Sequence, residues 1–228
     1  MLAVLQKSMA EIIPTVVPCS LEDIAVARKR YGSLTPMLHI DVADGLFAKN
    51  KTWSIRPGEK LPDAALAQYE VHLMVESPLQ AGMMFAHAGA RRVIGHIESF
   101  SNADCAREAF DMWQKAGATE TGVAVLLTTS LQEMMVYAQI CDFVHLMTIE
   151  TIGAQGAPFD ERSLDRISQL HERFPSLTIS VDGGGGVTTI GPMAERGATR
   201  FCVGSALAKA KDPAKEYARL LDAARAVV

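Results

Sequence analysis

The chain has 228 residues, 49% of them apolar, and a formal net charge of −4 with acidic and basic residues interleaved throughout. That length and apolar content suit one domain spanning residues 1–228 with a sizeable core. No basic run tracks a phosphate backbone, which argues against a nucleic-acid partner, and no apolar stretch reaches membrane-spanning length.

Met1–Lys7 lacks a charged leader and a cleavage pattern, so no export signal is expected. Short apolar runs rich in β-formers predict strands at Glu11–Val17, Met37–Val42, Tyr69–Val75, Arg92–Ile97, Gly122–Leu127, Phe143–Met147, Leu177–Val181 and Arg200–Val203. Amphipathic segments between them predict helices at Leu79–Ala88, Asn102–Lys115, Leu131–Gln139, Glu161–Phe174 and Ile190–Arg196. A last helix is expected from Asp212 or Pro213 to Ala226. Lys49–Pro62 reads as a long loop, which makes the second strand–helix unit the least distinct. Arg28-Lys29-Arg30 reads as a solvated helix face or end. Eight strand–helix units in one domain suggest an α/β, single-domain (β/α)8 TIM barrel, with a doubly wound open sheet as the alternative. The barrel is favoured because the chemically able residues sit near the ends of several strands. Cys19, Cys105, Cys141 and Cys202 are scattered. They are expected as reduced thiols, mostly buried, in a cytoplasmic protein.

The chemistry gathers in three strands. His39 and Asp41 are two residues apart, so a strand presents both on one face. His72 lies in the third strand and Asp182 at the end of the seventh. Two imidazoles and two carboxylates suit one divalent metal such as zinc, iron, manganese or cobalt, and the carboxylates are also proton carriers. A lone inward histidine is more often a hydrogen-bonded core residue, but four ligand types at strand ends tip the balance. Asp44-Gly45 reads as an Asx turn.

Glycines Gly183 and Gly184 end the seventh strand, and Gly204-Ser205 ends the eighth ahead of a helix-like run. Backbone N–H groups there can approach a phosphate closely. The small residues of Glu150–Phe159, Gly153 and Gly156 among them, suit a flap, with an ordinary surface loop as the plain alternative. Met74 and Met147 stand at strand ends and could line a pocket. His96 and Glu98 could extend the polar cavity. His87, His145 and His171 have no evident companions and read as structural or surface residues.

These stretches together resemble the ribulose-phosphate 3-epimerase family over nearly the whole length. They are Ile13-Pro14-Thr15, His39 through Phe47, Val71 through Pro78, Met147-Thr148-Ile149, Val181 through Gly184 and Val203 through Ala206. The resemblance implies a barrel that binds one divalent metal and epimerises a phosphorylated ketose at C3. It assigns the metal to His39, Asp41, His72 and Asp182, acid–base work to Asp41 and Asp182, and phosphate binding to Gly183, Gly184, Gly204 and Ser205. Thr15 stands where the family usually has serine, Ala43 where it has methionine, and Leu126-Leu127 where it has Asn-Pro. Ala48-Lys49-Asn50 replaces Val-Pro-Asn, and Thr151–Gly156 replaces the Pro-Gly-Phe-Gly-Gly-Gln flap.

The reaction implied interconverts D-ribulose 5-phosphate and D-xylulose 5-phosphate through an enediolate. The metal would offset its charge, and the two aspartates would work from opposite faces. A hexulose phosphate such as allulose 6-phosphate is the alternative substrate. A sugar-phosphate-binding barrel without turnover is the non-catalytic reading. Related lyases usually carry Asp-x-Lys on the second strand; here Ala43 takes the lysine's place. A small-molecule sugar phosphate is the expected partner, along with a homo-oligomeric state through exposed barrel helices such as Leu79–Ala88.

Overall fold

The computed structural model describes residues 10–153 and 155–226; the expectation for the first seven residues lies outside them. Eight strands close into a parallel barrel in sequence order, which settles the choice against an open sheet. They are β1 (Glu11–Val16), β2 (Met37–Ala43), β3 (Gln68–Met74), β4 (Arg92–His96), β5 (Glu120–Val125), β6 (Phe143–Met147), β7 (Thr178–Asp182) and β8 (Arg200–Val203). Each lies within two residues of its expected bounds.

Helices α1 (Leu21–Tyr31), α2 (Pro78–His87), α3 (Ala103–Lys115), α4 (Leu131–Met134), α5 (Arg162–Arg173), α6 (Val187–Glu195), α7 (Ser205–Lys209) and α8 (Pro213–Arg225) accompany the strands. The basic run does end a helix: Arg28, Lys29 and Arg30 form the last turn of α1, whose first turn is tied by a Ser20–Asp23 capping box. No α-helix follows β2, where residues 49–62 form a loop. The single helix expected over 131–139 is instead α4 and a separate 3-10 turn, Tyr137–Gln139.

The strands are buried on both faces, as parallel strands under helical crossovers must be. Outward residues such as Leu38, Ile40, Val71, Leu73, Val123, Val144, Ile179 and Phe201 form the main core with the helices. Trp113 of α3 lies fully buried and donates to the Leu79 carbonyl at 3.0 Å. Gly82 makes that approach possible, since a Cβ there would come within 2.2 Å of the indole nitrogen.

Inward residues follow the opposite parity and are far more polar. At the barrel floor Arg92 bridges Glu11, Glu70 and Glu120, while Arg200 pairs with Glu11 and Glu120. A network of this kind is retained only when its members satisfy one another, because each buried charge alone is costly. The four cysteines are free, but the expectation of mostly buried thiols is corrected. Cys202 is buried, Cys141 is intermediate, and Cys19, just ahead of α1, and Cys105, in the first turn of α3, are exposed. No helix among the described residues is long and apolar enough to cross a membrane.

Candidate active site

Strand register builds the site. In the β2–β3 pair His39 lies opposite Glu70, Asp41 opposite His72 and Ala43 opposite Met74. In the β6–β7 pair His145 lies opposite Ser180 and Met147 opposite Asp182. Alternation turns these residues into the barrel in successive layers, so pairs two apart on one strand stack along its axis.

The ligand-type atoms converge. Asp41 Oδ1 is 3.2 Å from both His39 Nε2 and His72 Nδ1, and Asp182 Oδ2 is 3.6 Å from His72 Nδ1. His39 and His72 are fully buried, and Asp41 is nearly so. Each imidazole is held from behind. His39 Nδ1 donates to Glu70 Oε1 at 2.7 Å, and Glu70 is itself fully buried and paired with Arg92. His72 Nε2 lies 2.8 Å from His96 Nε2, and His96 Nδ1 lies 3.2 Å from Glu98 Oε2. Burial, ahead of the opposing Glu98 contact, pushes His96 down to about 4. A neutral His96 that donates Nδ1–H to Glu98 accepts at Nε2 from His72 Nε2–H. That arrangement directs the remaining His72 nitrogen, Nδ1, at the cluster.

The electrostatics follow from crowding. Burial opposes ionisation of Asp41, and so does Asp182; hydrogen bonds from His39 and His72 outweigh both and lower its pKa. Burial likewise opposes ionisation of Asp182, while His145 and His72 outweigh it and hold it well below the carboxylate range. Burial disfavours charged His39 and His72. For His39 the Cys202 sulfur, Asp41 and Glu70 prevail, and for His72 Asp182 and Asp41 do, so both are raised. The two carboxylates and the two imidazoles therefore favour one another's charged forms across these short contacts. Inward nitrogens of His39 and His72 lie with an Asp182 oxygen within 4.8 Å of one another, and Asp41 Oδ1 is 3.2 Å from both rings; with each imidazole braced on its far side, these donors fit a divalent metal of the kind imidazole and carboxylate share.

A cavity of about 40 Å³ opens beside this cluster. It is lined by all the expected binding residues: Thr15, Met74, Met147, Gly153, Gly156, Gly183, Gly184, Gly204 and Ser205, together with Asp41 and Asp182. Thr15 Oγ1 is buried without a hydrogen-bond partner. Gly183 and Gly184 have positive φ, 111° and 62°, and a Cβ on Gly184 would meet the Phe159 backbone at 2.6 Å. Their backbone is therefore shaped by conformations that other residues rarely adopt.

The loop of residues 150–159 packs over this mouth. Gln155 Nε2 donates to the Thr15 carbonyl at 3.1 Å, and its side chain lies against Gly204, where a Cβ would approach within 2.6 Å. Asn50 anchors the same loop through the Gly153 carbonyl at 3.0 Å. Ala154 lies outside the described residues.

A model of the ribulose-phosphate 3 epimerase family matches residues 19–208. The chain belongs to the ribulose-phosphate 3-epimerase family. It is 29% identical over 220 residues to the ribulose-phosphate 3-epimerase cytoplasmic isoform of Oryza sativa subsp. japonica, covering 92% of each chain. It is 32% identical over 180 residues to ribulose-phosphate 3-epimerase of Aquifex aeolicus, covering 77% of this chain and 79% of the relative. As a member of the ribulose-phosphate 3-epimerase family it falls among the carbohydrate epimerases, an isomerase class. Among solved structures, 3-keto-L-gulonate-6-phosphate decarboxylase of Vibrio cholerae O1 biovar El Tor has a TM-score of 0.71 over 97% of this chain and all of its own, at 15% identity. At that identity the likeness is one of fold.

Ala43 is buried with Ala48 and Met74, with Phe47 and Ile152 packed on them. Asp44 forms the expected Asx turn: Oδ1 accepts from Leu46 N at 2.8 Å and Phe47 N at 2.9 Å, and Oδ2 from Glu76 N at 2.8 Å.

The reading of His145 as a residue without companions is corrected. It is fully buried, 3.8 Å from Asp182 Oδ2, with its ring stacked on His39. Position explains the error. His145 stands alone in its own strand, and only closure of the barrel brings β6 opposite β2. His87 and His171 are exposed, as expected. Glu70 was also missed, although its signal was available: it precedes His72 by two residues and so shares the inward face. Cys202 completes that lower layer, 3.3 Å from His39 Nδ1 and 3.5 Å from Glu70 Oε1.

Proposed function

We propose that the chain is a metal-dependent 3-epimerase of a phosphorylated ketose, interconverting D-ribulose 5-phosphate and D-xylulose 5-phosphate. The observation that carries this reading is the convergence of Asp41 and Asp182, from opposite parts of the barrel, on one buried histidine cluster at the edge of the cavity. Epimerisation next to a carbonyl requires one group to take a proton from carbon and another to return one to the opposite face. Two carboxylates at one site, titrating as a pair, can divide that work.

His39, Asp41, His72 and Asp182 would hold the metal. When bound, it supplies Lewis-acid stabilisation of the negative charge that develops on the substrate oxygens. Glu70 and His96 orient the imidazoles. Asp41 and Asp182 exchange the C3 proton, swapping roles with reaction direction. Gly183, Gly184, Gly204 and Ser205 seat the phosphate through backbone N–H groups where the seventh and eighth strands end, the usual phosphate position in this architecture. Thr15 offers its unpaired hydroxyl to the sugar, and Met74 and Met147 supply apolar walls.

The 150–159 loop acts as a lid. Pockets for small molecules occupy about 300–1,000 Å³, and the cavity under Gln155 is about 40 Å³. Gln155 must therefore leave the Thr15 carbonyl before a sugar phosphate can enter. Because this segment departs from the family pattern, it also supports the second substrate reading, a hexulose phosphate such as allulose 6-phosphate. Lyase chemistry has less support, because Ala43 fills the place where related lyases put lysine. The free cysteines support a reducing, cytoplasmic setting. A homo-oligomer through exposed barrel helices such as α2 belongs to the same reading, and light scattering of the purified protein would test it.

The deciding assay offers pentulose and hexulose phosphates to the metal-supplemented protein in deuterated water and follows exchange at C3. Exchange with inversion on the pentulose phosphate is expected. Absence of C3 exchange on every ketose phosphate would leave only the binding barrel without turnover.

A further inference from the structure

His145 is not among the four proposed metal ligands, yet its surroundings place it beside them. Strand β6 turns its ring into the barrel, stacked on His39 with centroids 5.4 Å apart and edge-on to His72 at 4.7 Å. On its outer side Nδ1 lies 3.0 Å from Ser180 Oγ. On its inner side Nε2 is buried and has no hydrogen-bond partner. It stands 3.8 Å from Asp182 Oδ2, beyond hydrogen-bond reach. One ligand atom each from His39, His72, His145 and Asp182 all fall within 4.8 Å of one another.

We infer that His145, through Nε2, is a further protein ligand of the divalent metal held by His39, Asp41, His72 and Asp182. The inference rests on the reading that this cluster binds a metal.

Three arguments carry it. Leaving a buried polar nitrogen unpaired costs about 1–3 kcal/mol, so a fully buried Nε2 aimed at a ligand cluster calls for a partner there. The outer nitrogen is engaged in the same manner as in the neighbouring histidines. Glu70 holds His39 Nδ1, His96 holds His72 Nε2, and Ser180 holds His145 Nδ1, so all three rings keep one nitrogen for the centre. Ring packing against both other histidines leaves His145 little freedom to turn away. The chemical consequence is a site with three imidazoles in place of two. Such a nitrogen-rich site favours zinc or cobalt over manganese more strongly than the two-histidine set would.

X-ray absorption on the zinc-loaded full-length protein counts the imidazoles around the ion. Three are expected, falling to two in His145→Phe, which keeps the ring packing and removes both nitrogens. In parallel, zinc affinity is measured by chelator competition, and visible spectra are recorded on the cobalt-loaded protein. His145→Phe and His145→Gln, the second keeping a polar partner for Ser180, should each weaken zinc binding at least about tenfold and change the cobalt bands. A wild-type protein that binds zinc through two imidazoles overturns this inference alone. So do wild-type affinity and unchanged cobalt bands in a folded variant. A wild-type protein that binds no zinc or cobalt overturns the metal reading together with it. The absorption measurement on wild type decides the matter if neither variant folds.

Discussion

Glu70→Gln tests whether the barrel floor supports the site. Glu70 is fully buried, accepts from His39 Nδ1 at 2.7 Å and faces Arg92 Nη1 at 3.5 Å. A glutamine amide can accept from only one of these donors; turned either way, its NH2 meets the other. Breaking a buried pair outright costs about 3–5 kcal/mol, but Arg92 keeps Glu11 and Glu120. The expected loss is therefore smaller, about 2–3 kcal/mol, or a drop in melting temperature of about 4–12 °C for a domain of this size. Weaker orientation of His39 should also cost about 10–100-fold in metal affinity.

The pH dependence has a definite sign. Burial would raise the Glu70 pKa, but His39 and then Arg92 outweigh it, and the folded-state value lies well below the ordinary one. A carboxylate depressed on folding stabilises fully above its unfolded pKa, about 4.3, and loses that contribution as pH falls through the folded value. The carboxylate's own contribution to the wild-type advantage over Glu70→Gln should be complete by about pH 5 and narrow in acid. Calorimetry from pH 3 to 8 and a zinc titration with a competing chelator measure both effects. A melting temperature within a degree of wild type, with unchanged zinc affinity, would refute the idea that Glu70 braces the site.

Asp182→Asn should cut turnover by about two to four orders of magnitude while phosphate binding changes little, since the glycine N–H groups remain. Near-normal turnover in a folded, metal-loaded variant would remove Asp182 from proton transfer. Replacing Thr151–Gly156 with Pro-Gly-Phe-Gly-Gly-Gln should change the ratio of pentulose to hexulose turnover. If the graft folds and the ratio stays put, the selector lies elsewhere, with Ala43, Leu126 and Leu127 the next suspects. Asp44→Ala removes an acceptor from three backbone N–H groups. Because the residue is only partly buried, the loss should be about 1 kcal/mol, read by urea unfolding. That difference should fade in acid, because the Asp44 pKa is lowered against the effect of burial by the Glu76, Leu46 and Phe47 amides.

The barrel was legible because parallel strands buried on both faces read as short apolar runs with clear gaps. His39, Asp41, His72 and Asp182 were legible because each interrupts such a run with a group that needs a partner. His145 was not, because its partners come from strands far away in sequence and only closure of the sheet supplies them. Glu70 was within reach by alternation alone, since it shares the inward face of its strand with His72. The 131–139 segment looked like one amphipathic helix, yet the chain breaks after Met134 and resumes as a tight turn at Tyr137. Local periodicity carries no information about such a break.

The Arg92 network has a bearing on how this chain can change. In barrels of this architecture the catalytic mouth and the stabilising floor are commonly separable, so one end varies while the other holds the fold. Here a single side chain, Glu70, touches both ends: Arg92 below and His39 above. Substitutions at Glu11, Glu120 or Arg200, remote from any substrate, would be felt at His39 as a change in the charge its brace can offer. Along this one strand the two ends are not independent, and attempts to harden the floor by swapping charges for apolar residues would retune the chemistry at the mouth.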